Sequence, residues 1–106
     1  GSNGWRMSSG IYVCDAMTTG LLYRIDWYPG ALFDPASAQK IHGELYEVDD
    51  QLLHDLDHFE GEEYRRVCVQ VSTSQGIRQA WAWEFVQNVT SEQQIVSGDW
   101  LKEYHE

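Results

Sequence analysis

One carboxylate in this sequence stands on the wrong side of a helix for an ordinary surface acid. Leu52, Leu53, Leu56 and Phe59 recur at helical spacing. At about 100° per residue, Glu60 projects between Leu56 and Leu53, while His54, Asp55, Asp57 and His58 project away from that sector. Glu60 also falls at the end of the run, just before Gly61, where the helix dipole disfavours negative charge. Burial and the dipole act in the same direction and would raise the carboxyl pKa. A carboxyl raised in this way suits a general acid/base working near neutral pH. The same residues also allow a frayed last turn with Glu60 in solvent, or a structural ion pair with Arg65 or Arg66.

Other reactive residue types lack support from their neighbours. His54 and His58 are spaced i, i+4 and could chelate zinc, with Asp55 where the H-E-x-x-H pattern has glutamate. Both project opposite the leucines, so the expectation is an exposed pair and no metal site. Cys14 as a nucleophile with His42 as its base has no motif around it, and Cys14 reads as a small core residue. Ser97 has no G-x-S-x-G context. There is no phosphate-binding loop and no dinucleotide fingerprint, and no cofactor is expected.

These residues need elements to hold them. Asp49 or Asp50 can cap the helix and Gly61 can end it. Before the helix, Gly10–Ala16 and Thr18–Ile25 read as two strands, with Gly20 a possible bulge. Tyr28-Pro29-Gly30 reads as a turn and Asp34–Gln39 as a loop. Ile41–Val48 is a strand whose internal Gly43 marks either a bulge or a close approach to the backbone. After the helix, Arg65–Thr73 and Ile77–Val86 alternate around Ser74-Gln75-Gly76 as a long β-hairpin. Ser97-Gly98-Asp99-Trp100 punctuates the end, and Leu101–Glu106 is a short tail. Strands, one main helix and a hairpin make an α+β pattern, without the regular βαβ alternation of a doubly wound sheet. About five glycine-rich strands suit a partly rolled, barrel-like sheet.

Composition bounds what such a domain can do. The chain has 106 residues, 42% hydrophobic and 23% charged, which fits one globular domain with one core. Seven basic residues against seventeen acidic give a formal net charge of -10, which repels phosphate backbones and anionic lipid heads. No apolar run approaches a membrane span, and GSNGWRMSSG has no apolar signal region, so the expectation is a cytoplasmic protein. Asn88-Val89-Thr90 fits a glycosylation sequon, read as chance in that setting. Cys14 and Cys68 are too few for a disulfide scaffold. Five Trp, six Tyr and three Phe are scattered along the chain; most are expected in the core, with some available to line a small-molecule pocket.

Several phrases, in order, resemble the gamma-glutamylcyclotransferase-like family. They are Trp27-Tyr28-Pro29-Gly30; His42-Gly43-Glu44-Leu45-Tyr46-Glu47-Val48-Asp49; Leu56-Asp57-His58-Phe59-Glu60-Gly61 with Tyr64-Arg65-Arg66; Ala80-Trp81; and Ser97-Gly98-Asp99-Trp100. The resemblance implies a mixed, partly rolled β-barrel flanked by helices and a pocket for small γ-glutamyl compounds. It also implies an activity: the substrate's α-amine attacks its own γ-amide carbonyl, releasing 5-oxoproline and a free amine. The family's catalytic glutamate precedes glycine after an L-D-x-x pattern, which maps onto Glu60. Tyr28, Pro29, Gly30, Tyr64 and Trp83 are the expected substrate-binding residues, on resemblance and aromatic character. The family also opens with a strand ending in Tyr-Gly-Ser/Thr-Leu, whose backbone N–H groups can face an anion. That phrase is absent here, and Gly1-Ser2-Asn3-Gly4-Trp5 resembles the stretch immediately C-terminal to it in family members. The expectation is a chain short of its first strand, with a sheet edge exposed to self-association. The alternative is a non-enzymatic small-molecule-binding or interaction domain on the same fold. Finding the Tyr-Gly-Ser/Thr-Leu phrase encoded upstream would favour the enzyme.

Overall fold

The computed structural model describes residues 10–104; the segment Gly1 to Trp5 lies outside them. Five strands and one main helix run in the order β1 (Ile11–Arg24), β2 (Pro29–Phe33), β3 (Lys40–Glu47), α1 (Asp50–Glu60), β4 (Tyr64–Thr73) and β5 (Gly76–Phe85). A 3₁₀ turn (Gly61–Glu63) joins α1 to β4, a second (Ser91–Gln93) follows β5, and a short helix α2 (Trp100–Tyr104) stands where a tail was expected. The path through the sheet is β2-β1-β4-β5, with β3 also paired to β1 and every pairing antiparallel. The class is α+β.

The N-terminal half differs most from expectation. A single strand of 14 residues, β1, replaces the two read from the sequence. Met17, at the expected break, pairs with His42 on β3 and Ser72 on β4. The register shift lies between Tyr12 and Cys14, not at Gly20. Gly20 is where β1 changes partner: Thr19 still pairs with Lys40 of β3, whereas Gly20 pairs with Phe33 of β2. A Cβ there would run into the Leu32 carbonyl oxygen and lie 3.0 Å from Phe33 Cα, at a φ of +150°. Close approach is therefore the role of Gly20. Gly43 pairs regularly with Ala16, and a Cβ on it would meet nothing within 4 Å. Pro29 and Gly30 open β2 and do not form the turn. The chain turns one step earlier, where the Ile25 N–H donates to the Tyr28 carbonyl at 3.1 Å. Proline is tolerated at a strand's first residue because no ladder donor is needed from it.

The helix and hairpin follow the sequence closely. The Asp49 carboxylate accepts from the Leu52 N–H at 2.8 Å. Gly61, at φ 72°, closes the helix with its N–H on the Asp57 carbonyl. Ten cross-strand pairs, from Tyr64↔Phe85 to Thr73↔Gly76, build the hairpin around Ser74-Gln75.

The sheet rolls but does not close. The Phe33 N–H donates to Glu84 Oε2 at 3.0 Å, which brings β2 to the base of the hairpin without a strand pairing. At the other end, β1 and β4 meet at one pair, Met17↔Ser72, backed by Thr18 Oγ1 donating to the Gln70 carbonyl at 2.8 Å. Below it, the β4 edge from Arg66 to Gln70 has no strand partner among the described residues. Leu22, Ile41 and Ile95 form the buried cluster, with Ala31, Phe33 and Trp100 packed on it. Ile95 reaches that cluster because its N–H donates to the Leu22 carbonyl at 2.7 Å. The loop after β5 is thus part of the core, and Thr90 of the sequon serves as the cap of its 3₁₀ turn.

Candidate functional site

Rolling the sheet without closing it leaves a cavity of about 620 Å³ under α1. Its walls are mainly apolar: Leu22 and Ile41 from the core, Leu53 and Leu56 from α1, Val69 and Val71 from β4, and Ala80 to Trp83 from β5. This size and chemistry suit a small molecule. Among the described lining residues the acids are Glu44, Glu47 and Glu60, and there is no lysine or arginine.

Glu60 is half-buried and lines the cavity beside Leu53 and Leu56, the sector that the helical projection assigned to it. Three elements hold it there. Leu56, the one buried residue of α1, seats the helix at 4% exposure. The Gly61 cap stops the helix immediately after Glu60. Tyr64, the first residue of β4, puts its phenol near the carboxylate. Burial is the main reason that the Tyr64 phenol is held well above its ordinary range, and the Glu60 charge is the next. Tyr64 therefore stays protonated at neutral pH. It donates to the Pro29 carbonyl at 2.6 Å and packs edge-on against Phe85 at 5.4 Å.

The other expected site residues divide. Pro29 and Trp83 line the cavity with Glu60 and Tyr64. Tyr28 and Gly30 adjoin the cavity without lining it. The Tyr28 hydroxyl donates to Glu63 Oε1 at 3.0 Å, and this bond is the main cause that raises its phenol pKa. Gly30 is buried behind the wall, where a Cβ would come within 2.8 Å of the Phe85 ring. Tyr28 and Gly30 thus buttress the wall to which Pro29 belongs.

Sequence reasoning passed over Asp57, which projected off the apolar sector. Its Oδ1 accepts from Trp83 Nε1 at 2.9 Å and lies 3.3 Å from Arg66 Nε. Arg66 in turn lies over the Trp81 ring at 4.4 Å. The available signal was the position of Asp57 inside the Leu56-Asp57-His58-Phe59-Glu60-Gly61 phrase, one turn before the carboxylate.

The remaining candidates fall elsewhere. His54 and His58 are exposed, and no group of three His, Cys, Asp or Glu among the described residues could hold a metal ion. Cys14 opposes Leu45, whereas His42 opposes Met17. Strand alternation sends that thiol and imidazole to opposite faces. Both thiols are free. The Ser97 hydroxyl accepts from the Asp99 N–H at 3.3 Å, a local turn contact. No helix among the described residues is long and apolar enough to cross a membrane.

A rolled antiparallel sheet and one main helix, enclosing an apolar cavity with a carboxylate at the helix end, define an α+β small-molecule-pocket fold. Comparison with known proteins makes the class specific. The model of the family described as "Gamma-glutamyl cyclotransferase, AIG2-like" matches residues 3–102, and the chain belongs to that family. It is 35% identical over 82 residues to the gamma-glutamylcyclotransferase family protein YtfP of Escherichia coli K12, a match spanning 76% of this chain and 66% of that protein. The crystal structure of YkqA from Bacillus subtilis superposes with a TM-score of 0.80 at 29% identity, covering 95% of this chain and 35% of that one. The solution structure of ytfP from Escherichia coli does so with a TM-score of 0.58 at 30% identity, covering 89% and 75%. The chain thus matches just under two-thirds of the length of the YtfP relative and about a third of YkqA.

Proposed function

We propose that this domain is a γ-glutamyl cyclotransferase that converts a γ-glutamyl amine or peptide to 5-oxoproline and the free amine in the cytoplasm, with Glu60 as acid/base. The observation that carries this reading is Glu60 itself: a half-buried carboxylate in an apolar cavity of a chain from the cyclotransferase family. In this reading the substrate's α-nitrogen attacks the γ-carbonyl carbon, forming the lactam C–N bond as the γ-amide C–N bond breaks. The α-ammonium becomes a lactam N–H and the amide nitrogen departs as an ammonium, so two protons cross from one nitrogen to the other. Glu60 carries them one at a time, taking a proton from the first and giving it to the second in each of two passages, and ends in its starting form. The nucleophile is intramolecular, so holding the substrate folded supplies much of the acceleration. Pro29, Tyr64 and Trp83 form the wall that holds it, with Tyr28 and Gly30 behind them. The experiment is release of 5-oxoproline by this chain from a panel of γ-glutamyl amines. Turnover that survives Glu60→Gln would sink the assignment.

One observation favours a second reading, a non-enzymatic small-molecule-binding or interaction domain. Among the described residues, no lysine or arginine lines the cavity to receive a substrate α-carboxylate. Calorimetric binding of γ-glutamyl amines without 5-oxoproline release would select that reading.

A further inference from the structure

We propose that Asp57 is a positioning residue that fixes Glu60 and Trp83 relative to each other across the cavity. Asp57 lies one helical turn before Glu60 and joins three elements. Its Oδ1 accepts from Trp83 Nε1 of β5 at 2.9 Å and is 3.3 Å from Arg66 Nε of β4. Its own carbonyl accepts the Gly61 N–H that ends α1. The last turn, which carries Glu60, is therefore closed on the Asp57 carbonyl and anchored to β4 and β5 by the Asp57 carboxylate. Leu56 sets how deeply the helix sits, with Leu52, Leu53 and Phe59 half-buried beside it. The Asp57 bonds act on rotation about the helix axis, because any such rotation pulls Oδ1 from the indole and swings Glu60 by the same angle.

The bonds sit where they are effective. The Asp57 and Arg66 side chains are 36% and 30% exposed, so the charge-assisted contact is partly shielded from water. Arg66 is held over the Trp81 ring, another cavity wall, at 4.4 Å. The contact also settles which part of Trp83 a ligand meets. With its N–H engaged by Asp57, the indole offers the cavity a carbon surface and no donor.

The catalytic consequence rests on the cyclotransferase reading of Glu60, whereas the clamp does not. Cyclisation is sensitive to placement, since a displacement of about 1 Å can cost on the order of 100-fold in rate. The test compares Asp57→Ala, Asp57→Asn, Trp83→Phe and the Asp57→Ala/Trp83→Phe pair. Hydrogen exchange of the indole N–H groups by NMR is read beside kcat and KM for a γ-glutamyl amine. In the parent, the Trp83 N–H should exchange more slowly than that of Trp27, which is 59% exposed. Asp57→Ala should remove that protection and lower kcat ~10- to 100-fold, with a smaller change in KM. Asp57→Asn keeps an acceptor oxygen and should recover most of both. Trp83→Phe should lower kcat without touching the helix, and the pair should lose no more than the worse single variant. The proposal is overturned if Trp83 exchanges as fast as Trp27, if Asp57→Ala or Trp83→Phe turns over like the parent, or if Asp57→Asn is as impaired as Asp57→Ala. A parent that turns over no γ-glutamyl amine instead removes the cyclotransferase reading, and indole exchange alone then decides the clamp.

Discussion

Replacing Glu60 by glutamine removes a charge and a proton acceptor while keeping the size and shape of the side chain. The residue is half-buried and ends a helix that is seated by Leu56 and capped through Gly61, so no wall of the cavity is lost. Thermal stability should stay within about 1 kcal/mol, a shift of a few degrees for a domain of this size. Activity should behave quite differently. A positioned general acid/base contributes on the order of 10²- to 10⁴-fold, or about 3 to 5 kcal/mol of transition-state stabilisation. Glutamine can neither take the proton from the α-ammonium nor return it to the leaving nitrogen, so kcat should fall by that full factor. KM should move little, because the apolar walls from Leu53 to Trp83 remain. Chromatographic measurement of 5-oxoproline from a γ-glutamyl amine, with a thermal melt on the same sample, separates the two effects. Glu63→Gln is the matched control: Glu63 holds the Tyr28 hydroxyl and does not line the cavity, so its loss should cost less than ~10-fold by the same arithmetic. A folded Glu60→Gln protein turning over within ~10-fold of the parent would refute the assignment of acid/base to this residue.

Three further outcomes follow from the packing and the titrating groups. Phenol pKa values are raised at Tyr12 (to about 12, chiefly by its bond to Asp15), Tyr28, Tyr46 and Tyr64. A raised folded-state pKa means that the native chain holds the proton more tightly than the unfolded one, so this stability is full below the ordinary phenol value of 10.0 and is lost as pH climbs through the raised values. The urea midpoint should fall above about pH 10, and Tyr64→Phe should flatten the upper part of that fall; an unchanged slope would argue against a half-buried Tyr64 phenol. Gly20→Val forces a side chain onto the Leu32 carbonyl where β1 changes partner, and should cost ~4 kcal/mol or more, so a melt within a few degrees of the parent would show that the strand can shift. Leu56→Ala, at a site 4% exposed, should cost about 2 to 5 kcal/mol in urea unfolding, and a loss under ~1 kcal/mol would mean that the helix resettles on the sheet.

The features legible in the chain are mostly local. Asp49, the leucine spacing and Gly61 each act within a few residues of themselves, so α1 and its ends can be read directly. The alternation of Val67, Val69 and Val71 against Arg66, Cys68 and Gln70 gives the hairpin for the same reason. Asp57 was not legible, because a helical projection reports which way a residue points and not what waits there. Projection turned it away from the leucines, yet the hairpin supplies Trp83 and Arg66 on that flank. Resemblance and aromatic character group Tyr28 and Gly30 with Pro29, whereas strand pleating and a tight fit against Phe85 put only Pro29 on the cavity.

The sequence by itself determined the α+β class, the position of α1 and the carboxylate aimed into its apolar sector, since these depend on periodicity and capping along a short stretch. Tertiary structure alone decided that β1 is one strand serving β3, β4 and β2 in turn. That choice depends on Gly20 lying against the Leu32 carbonyl, a contact between strands that no local pattern encodes. The chain suits a partly rolled sheet, and tertiary contacts decide that the roll stops short of closing, which leaves the cavity that Glu60 faces. The roll follows from the Glu84 carboxylate meeting the Phe33 N–H and the Tyr64 hydroxyl meeting the Pro29 carbonyl. Those bonds join residues 51 and 35 positions apart, and only the folded chain brings them together.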